Sequence, residues 1–106
     1  MSRKEIENVY DRYKKSTNMT YQQLLKWSKD PCSKKASIGT EAIERNLMLL
    51  GTPRNLWTAN HAKEARKAIS FNARMSEVNA GNIVKGCGIS KRTISLKNWA
   101  LDPNKK

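Results

Sequence analysis

The sequence predicts an all-α protein, a compact bundle of about five helices in a single domain that spans residues 1–106. Apolar residues recur at spacings of three and four, which is the period of a helix with one buried face. Ser and Thr residues stand immediately before these segments, where helix N-caps are found. No stretch shows the sustained alternation of apolar and polar residues that is typical of a strand.

Each of the first four predicted helices begins at a Ser or Thr whose side chain can accept a hydrogen bond from a backbone amide of the first turn. These caps are Ser2, Thr20, Thr40 and Thr58. The first helix is expected to end near Lys15, and the third at Gly51, a residue type common at helix C-termini. Asp30-Pro31 ends the second helix, because the residue before a proline is pushed out of the helical conformation. The fourth helix extends to about Met75.

Three segments are predicted to lie outside these helices. Residues 31–39 contain Ser, Gly and paired lysines, a composition that favours a flexible loop. Residues 104–106 are expected to form a disordered tail. Between the third and fourth helices, Thr52-Pro53 begins a short connection with room for one helical turn before Trp57.

The chain is strongly basic, with a formal net charge of +12 and a pI near 10.1. Nine basic and four acidic residues lie in residues 1–35, six and three in 36–75, and six and two in 76–106. This even distribution predicts a folded body that is cationic over much of its surface, and not a basic arm. Such a charge favours nucleic acid or another polyanion as the partner.

The fourth predicted helix carries two distinct faces. Small and apolar residues at helical spacing predict the face that packs against the core: Ala62, Ala65, Ile69 and Ala73. A second face, within about 60° of helical rotation, contains Lys63, Lys67, Ser70 and Arg74. We expect this basic stripe to bind phosphates, the alternative being an ordinary solvated helix face.

Residues 83–99 resemble the turn and recognition helix of helix-turn-helix DNA-binding proteins. The first helix of such a motif needs apolar anchors, for which the sequence offers Ile83, Val84 and Cys87. Gly88 is placed to take the left-handed turn, and Ser90 to cap the second helix. The alternative is a glycine turn followed by a purely structural helix.

In the helix-turn-helix interpretation, Lys91, Arg92 and Ser95 project toward base edges and phosphates. Together with the basic stripe, the candidate nucleic-acid-binding residues are Lys63, Lys67, Arg74, Lys85, Ser90, Lys91, Arg92, Ser95 and Lys97. Apolar residues fall on opposite sides of the last helix when it is plotted at 100° per residue. Either this helix is buried from two directions, or it ends near Lys97 and Trp99 packs from a non-helical tail.

A second resemblance covers residues 19–103. The tail Ser95-Leu96-Lys97-Asn98-Trp99-Ala100-Leu101-Asp102-Pro103 is similar to that of a small uncharacterised prokaryotic family whose members end in Ser-Leu-x-Asn-Trp-Gly-His-Asp-Pro. Met19-Thr20 leading to Leu24 and Trp27, and Arg66-Lys67-Ala68-Ile69 followed by Arg74, also resemble this family. Some members are described as DNA-binding proteins, so the resemblance implies the same partner here.

This chain departs from that family within the tail. Ala100-Leu101 stand where the family has Gly-His, so a role of that histidine does not transfer. We expect the tail to dock Trp99 into the core, in preference to contacting bases directly.

Two cysteines and a single histidine are too few for a structural zinc site, and no cofactor-binding motif is present. No apolar run approaches the roughly 18 residues needed to cross a membrane, and the N-terminus lacks the apolar stretch of a secretory signal. We therefore expect an intracellular, cytoplasmic protein in which the thiols of Cys32 and Cys87 are reduced.

No nucleophile stands at a usable spacing from a base, and neither paired carboxylates nor a nucleotide-binding loop occurs, so we expect no enzymatic activity. The leading hypothesis is binding of duplex DNA through the basic surface and the helix-turn-helix-like segment. The alternatives are an RNA-binding module and an adaptor that docks on an acidic protein through exposed tryptophans. The aromatic residues fall at spacings typical of core residues, which disfavours an exposed aromatic platform on which the bases of a single strand could stack. The oligomeric state is left open.

Overall fold

The computed structural model describes residues 1–35, 40–77 and 81–105, in which five α-helices pack into a bundle. They are α1 (Arg3–Ser16), α2 (Tyr21–Ser28), α3 (Thr40–Gly51), α4 (Ala59–Ser76) and α5 (Lys91–Asn98). Two 3₁₀ turns, Pro31–Lys34 and Arg54–Leu56, stand between them. The described residues contain no strand beyond one isolated antiparallel bridge, between Ile83 and Ser90. The prediction of an all-α bundle of about five helices is confirmed.

Local capping fixes where α1, α2, α4 and α5 begin, as the sequence predicts, whereas Thr40, the predicted cap of α3, is the first residue of that helix. The Ser2 and Thr20 hydroxyls each accept a hydrogen bond from the amide three residues on, at 3.2 and 3.1 Å. At α4, Thr58 and His61 form a reciprocal capping pair, in which the Thr58 amide donates to His61 Nδ1 at 3.0 Å. The single histidine of the chain therefore has a structural role.

Helices α1 and α4 run side by side in the same direction. Arg3, at the start of α1, donates to the backbone oxygen of Trp57, just before α4. Near the other end, Asn72 Nδ2 of α4 donates to the backbone oxygen of Ser16, at 3.1 Å. The apolar cluster between these ends contains Ile6, Val9, Tyr13, Leu49, Trp57, Ala62, Ala65 and Ala68. The alanines let α4 approach closely, because their side chains end at the β carbon.

The buried face of α4 is rotated from the predicted one. Ala62 and Ala65 are buried as expected, but Ala73 is exposed, and Ala68 and Asn72 are buried instead. The rotation follows from the packing, since α4 contacts α3 and α5 as well as α1. A helical plot of one segment shows its apolar residues but not how many neighbours surround it.

Helix α5 packs against several other elements of the bundle. It contacts α2, α3, α4 and the turn Pro31–Lys34. Its buried residues are Thr93, Ile94, Leu96 and Asn98. Both alternatives for this helix hold in part: it is buried from two directions, and it also ends at Asn98, one residue past Lys97, with Trp99 packing from the C-cap. The helix ends in a Schellman motif, in which the Leu101 amide donates to the Leu96 oxygen at 2.9 Å and Ala100 has a left-handed φ of 64°.

Buried asparagines connect the helices. Asn98 Oδ1 accepts a hydrogen bond from Trp27 Nε1 at 2.7 Å, and Asn98 Nδ2 donates to the Ser33 oxygen at 3.0 Å. One side chain thus joins α5 to α2 and to the turn that follows it. Asn46 accepts from the Tyr13 hydroxyl at 2.6 Å and joins α3 to α1. Burial raises the pKa of Tyr13, which keeps its hydroxyl protonated as a donor.

Asn98→Ala is expected to lower the free energy of unfolding by about 3 kcal/mol, because the Trp27 indole N–H and the Ser33 carbonyl lose their partner inside the protein. Urea unfolding followed by far-UV circular dichroism measures the change. Asn60→Ala removes an exposed asparagine from α4 and is the matched control, with an expected change below about 0.5 kcal/mol. Equal effects of the two substitutions would contradict a structural role for Asn98.

The two cysteines depart most clearly from the predictions. Cys32 is bonded to Cys87, with the Cα atoms 5.8 Å apart, so the expectation of reduced thiols is wrong for this structure. The bond joins residues 55 positions apart, a contact that no local pattern indicates. Cys32 lies in the predicted loop 31–39, of which Pro31–Lys34 instead forms a 3₁₀ turn. Residues 36–39 lie outside the described part of the chain.

The C-terminal segment packs back on the start of α2. The backbone amides of Asn18 and Met19 donate to the Ala100 oxygen at 3.0 and 3.1 Å. Lys105 Nζ donates to Gln23 Oε1 at 2.7 Å, so this residue of the predicted tail 104–106 contacts the bundle. Residue 106 lies outside the described residues.

Candidate nucleic-acid interface

The predicted basic stripe is exposed along most of α4. Its residues are Lys63, Lys67, Ser70 and Arg74, and Arg66 lies exposed beside them. From residue 63 to residue 74 the helix rises about 16 Å, at about 1.5 Å per residue. We call the four cations among them, Lys63, Arg66, Lys67 and Arg74, the α4 basic face. One side of one helix thus carries four cations.

The charge of the α4 basic face is largely uncompensated. Across residues 1–35, 40–77 and 81–105, no carboxylate lies within ion-pair distance of Lys63, Arg66 or Arg74. Lys67 Nζ lies 3.3 Å from Glu64 Oε1, and Glu64 also pairs with an arginine of α3. Three of the four cations are therefore free of an internal partner in this part of the chain, and an anionic ligand can approach them.

An open cleft with an aromatic floor borders the α4 basic face. Its volume is about 400 Å³, and it is lined by Arg66, Lys67, Ser70, Phe71, Arg74 and Trp99. Phe71 and Trp99 stack on each other, with ring centroids 4.7 Å apart and planes inclined by 23°. Both residues are half-buried, so part of their aromatic surface is accessible. We call this feature the aromatic cleft.

A second cavity, of about 370 Å³, lies over Trp27. Its charged residues are Lys26, Lys97, Lys105, Asp30 and Asp102. Lys97 Nζ lies 3.9 Å from the centroid of the Trp27 ring, in a cation–π contact. Because lysines and carboxylates are mixed here, this cavity suits a polyanion less well than the α4 basic face.

Three of the six candidate residues on and around α5, Ser90, Arg92 and Lys97, make contacts inside the protein. Ser90 is buried, and its hydroxyl caps α5 by accepting an amide hydrogen bond at 3.2 Å. Arg92 donates to two backbone oxygens at the end of α4, at 2.9 and 3.2 Å. Ser95 and Lys97 are half-buried, and the exposed members of the group are Lys85 and Lys91. Within α5 itself, Lys91 is the exposed residue, so little of the polar face that a recognition helix presents is open to a ligand.

The first helix of the expected helix-turn-helix motif is absent from residues 81–90. They form a hairpin-like loop, closed by a hydrogen bond from the Val84 amide to the Ile89 oxygen at 2.8 Å. Gly88 takes the expected left-handed turn, with φ of 71°, but Gly86 does so as well, with φ of 84°. Two left-handed residues within three positions are incompatible with a right-handed helix. The helix-turn-helix prediction is therefore wrong for this segment.

The separate stretches that carry the family resemblance meet in the folded chain. Trp27, from the first stretch, donates to Asn98 of the tail. Arg66 and Arg74, from the central stretch, border the same cleft as Trp99 of the tail. Asn98 and Trp99 thus make contacts that hold the bundle together. The cations of the central stretch are the exposed residues among those that carry the resemblance.

Sequence reasoning missed three residues of this site: Arg66, Phe71 and Trp99. Arg66 lies on the edge of the basic stripe, and the Arg-Lys pair that contains it is the signal that could have included it. Phe71 and Trp99 fit the spacing of core residues. Their partial exposure depends on where α5 ends against α4, which sequence spacing does not specify.

The site offers charge and aromatic surface. Within the described residues, no three His, Cys, Asp or Glu side chains cluster closely enough to hold a metal ion. No protein family, curated protein or solved structure matched this chain.

Proposed function

We propose that the protein binds nucleic acid, with duplex DNA as the first ligand, through the α4 basic face. The observation that carries this is the exposure of Lys63, Arg66 and Arg74 on one helix face, without a carboxylate partner among the described residues. Such cations neutralise phosphates and release condensed counterions, which drives binding. Duplex DNA carries one charge per about 1.7 Å of axis, so a face about 16 Å long can meet several phosphates.

Two alternative partners differ in how well the fold supports them. RNA carries the same phosphates as DNA, so the measured affinities for the two ligands decide between them. An adaptor for an acidic protein is less well supported, because Trp27 and Trp57 are only 6% and 1% exposed and cannot anchor a partner. Trp99, the remaining tryptophan, is partly exposed, and it faces a cleft lined by cations.

We further propose that this binding role involves no catalysis and is performed in the cytoplasm. None of the described helices combines the length and the apolar character needed to cross a bilayer. The Cys32–Cys87 disulfide is of the kind that persists in oxidising compartments. In a reducing cytoplasm this bond would open, so the proposed location requires a fold that survives its loss.

Titration with duplex DNA at several salt concentrations is expected to give a slope of log affinity against log salt of about −3.6, for four phosphate contacts at about 0.9 each. Fluorescence anisotropy with labelled duplex DNA, single-stranded DNA and RNA of equal length measures this slope for each ligand. Affinity that does not change with salt would rule out phosphate neutralisation. If RNA binds more tightly than duplex DNA, RNA and not duplex DNA is the ligand.

A further inference from the structure

We propose that the aromatic cleft takes one unpaired base, so that the protein binds a duplex with an overhanging nucleotide more tightly than a blunt duplex. The ligand class is nucleic acid with a junction between paired and unpaired nucleotides. This preference rests on the proposed function, because the same α4 basic face holds the paired part of the ligand.

The aromatic cleft combines the two features by which proteins hold single strands, a cationic wall and an aromatic surface. Arg66, Lys67 and Arg74 supply the wall, and the stacked rings of Phe71 and Trp99 supply the surface. The described lining contains no carboxylate that would repel a phosphate. Aromatic rings stack on any base, so the cleft distinguishes unpaired from paired bases and does not distinguish one base from another.

The rings are positioned before any ligand binds. Phe71 stands on α4, and the Trp99 amide donates to the Leu96 oxygen at 2.9 Å at the end of α5. Asn72 Nδ2 of α4 donates to the Trp99 backbone oxygen at 3.2 Å and fixes the two helices to each other at this point. A base that enters the cleft therefore does not have to order the rings, which removes part of the entropic cost of binding.

A paired base cannot use this cleft. Inside a duplex both faces of each base are covered by its neighbours, and a base at a blunt end, although one of its faces is open, is held in its pair; freeing a paired base costs a few kcal/mol. An overhanging base already exposes a face, and the cleft, at about 400 Å³, lies within the size range of small-molecule sites. Lys63 lies on α4 outside the cleft lining, on its N-terminal side, and Arg66, Lys67 and Arg74 are exposed at the cleft, so the adjoining duplex keeps its phosphate contacts.

The test compares a blunt duplex with the same duplex carrying a short single-stranded overhang. Wild-type protein is expected to prefer the overhang by about 10-fold, within the range that one stacked base contributes. Ser70→Phe places a ring in the cleft while keeping every cation, and is expected to reduce the preference below about 2-fold. Ala73→Phe is the matched control, since it adds the same ring at an exposed position of α4 outside the cleft lining, and it should keep the wild-type preference.

A second readout follows the base itself. The fluorescence of 2-aminopurine at the overhang is expected to fall on binding to wild-type protein and to the Ala73→Phe variant, and to change little with the Ser70→Phe variant. Equal affinity of wild-type protein for the two duplexes, or an overhang preference that persists in the Ser70→Phe variant, would overturn the unpaired-base site and leave the proposed duplex binding intact. Failure to bind either duplex would instead remove the proposed function and this site together.

Discussion

Replacing Lys63, Arg66, Lys67 and Arg74 together with glutamine is expected to weaken duplex binding about 100-fold or more at low salt, since each cation contributes a phosphate contact. The salt dependence should nearly vanish at the same time, because the counterions released on binding are those displaced by these four side chains. Glutamine keeps the length and helix propensity of the face. All four residues are exposed, so the variant should keep its fold and its unfolding midpoint.

The matched control removes the same number of charges elsewhere. Lys4, Lys14, Lys29 and Lys34 are exposed on α1, on the C-terminal side of α2 and on the 3₁₀ turn after it. Replacing them with glutamine also lowers the net charge from +12 to +8. This control is expected to lose less than about 10-fold in affinity and to keep most of its salt slope. Equal losses in the two variants would show that the charge acts diffusely and that α4 is not the interface.

Replacing Cys32 and Cys87 with serine is expected to lower the free energy of unfolding by about 4 kcal/mol, the chain-entropy value for a closed loop of 55 residues. The bond restricts the unfolded chain, and opening it restores that freedom. Urea unfolding of the variant and of wild-type protein, each with and without a thiol reductant, measures the change. The reductant should lower the wild-type midpoint to that of the variant and leave the variant itself unchanged.

The outcome of the disulfide measurement also bears on location. A small domain has about 5–15 kcal/mol of stability in total, so a loss of about 4 kcal/mol leaves a weaker but folded protein. A wild-type midpoint that does not respond to reductant would contradict the bond. A reduced protein that is unfolded without urea would contradict the proposed cytoplasmic role, because the α4 basic face requires an intact bundle.

The comparison of α4 with α5 shows what local sequence patterns predict well. The start of α4 at Thr58 and the exposed basic stripe were both predicted, because a cap bond and a helical face involve residues within a few positions of one another. Helix α5 was predicted to begin at Ser90, and it does, for the same reason. The extent of its burial could not be predicted from the segment alone, because burial of Ile94 and Leu96 depends on helices distant in sequence.

The loop before α5 illustrates the limit of motif matching. The glycine expected at the turn has the expected backbone conformation at Gly88, yet residues 81–87 do not form a helix. The conformation of this segment is set by a second left-handed glycine, Gly86, and by the disulfide from Cys87 to a distant turn. A short motif records one local geometry and leaves the surrounding chain undetermined.

The sequence by itself determined the all-α class, the helix starts, the net charge and the stripe of cations on α4, because each depends on composition or on neighbours within about one helical turn. Tertiary structure alone decided the Cys32–Cys87 bond, the burial of α5 and the half-exposed stack of Phe71 and Trp99 beside the cations. Each of these joins residues that lie far apart in the chain, and such contacts form only when the helices pack around a shared core. The candidate site therefore has a cationic part that could be read from sequence and an aromatic part that could not.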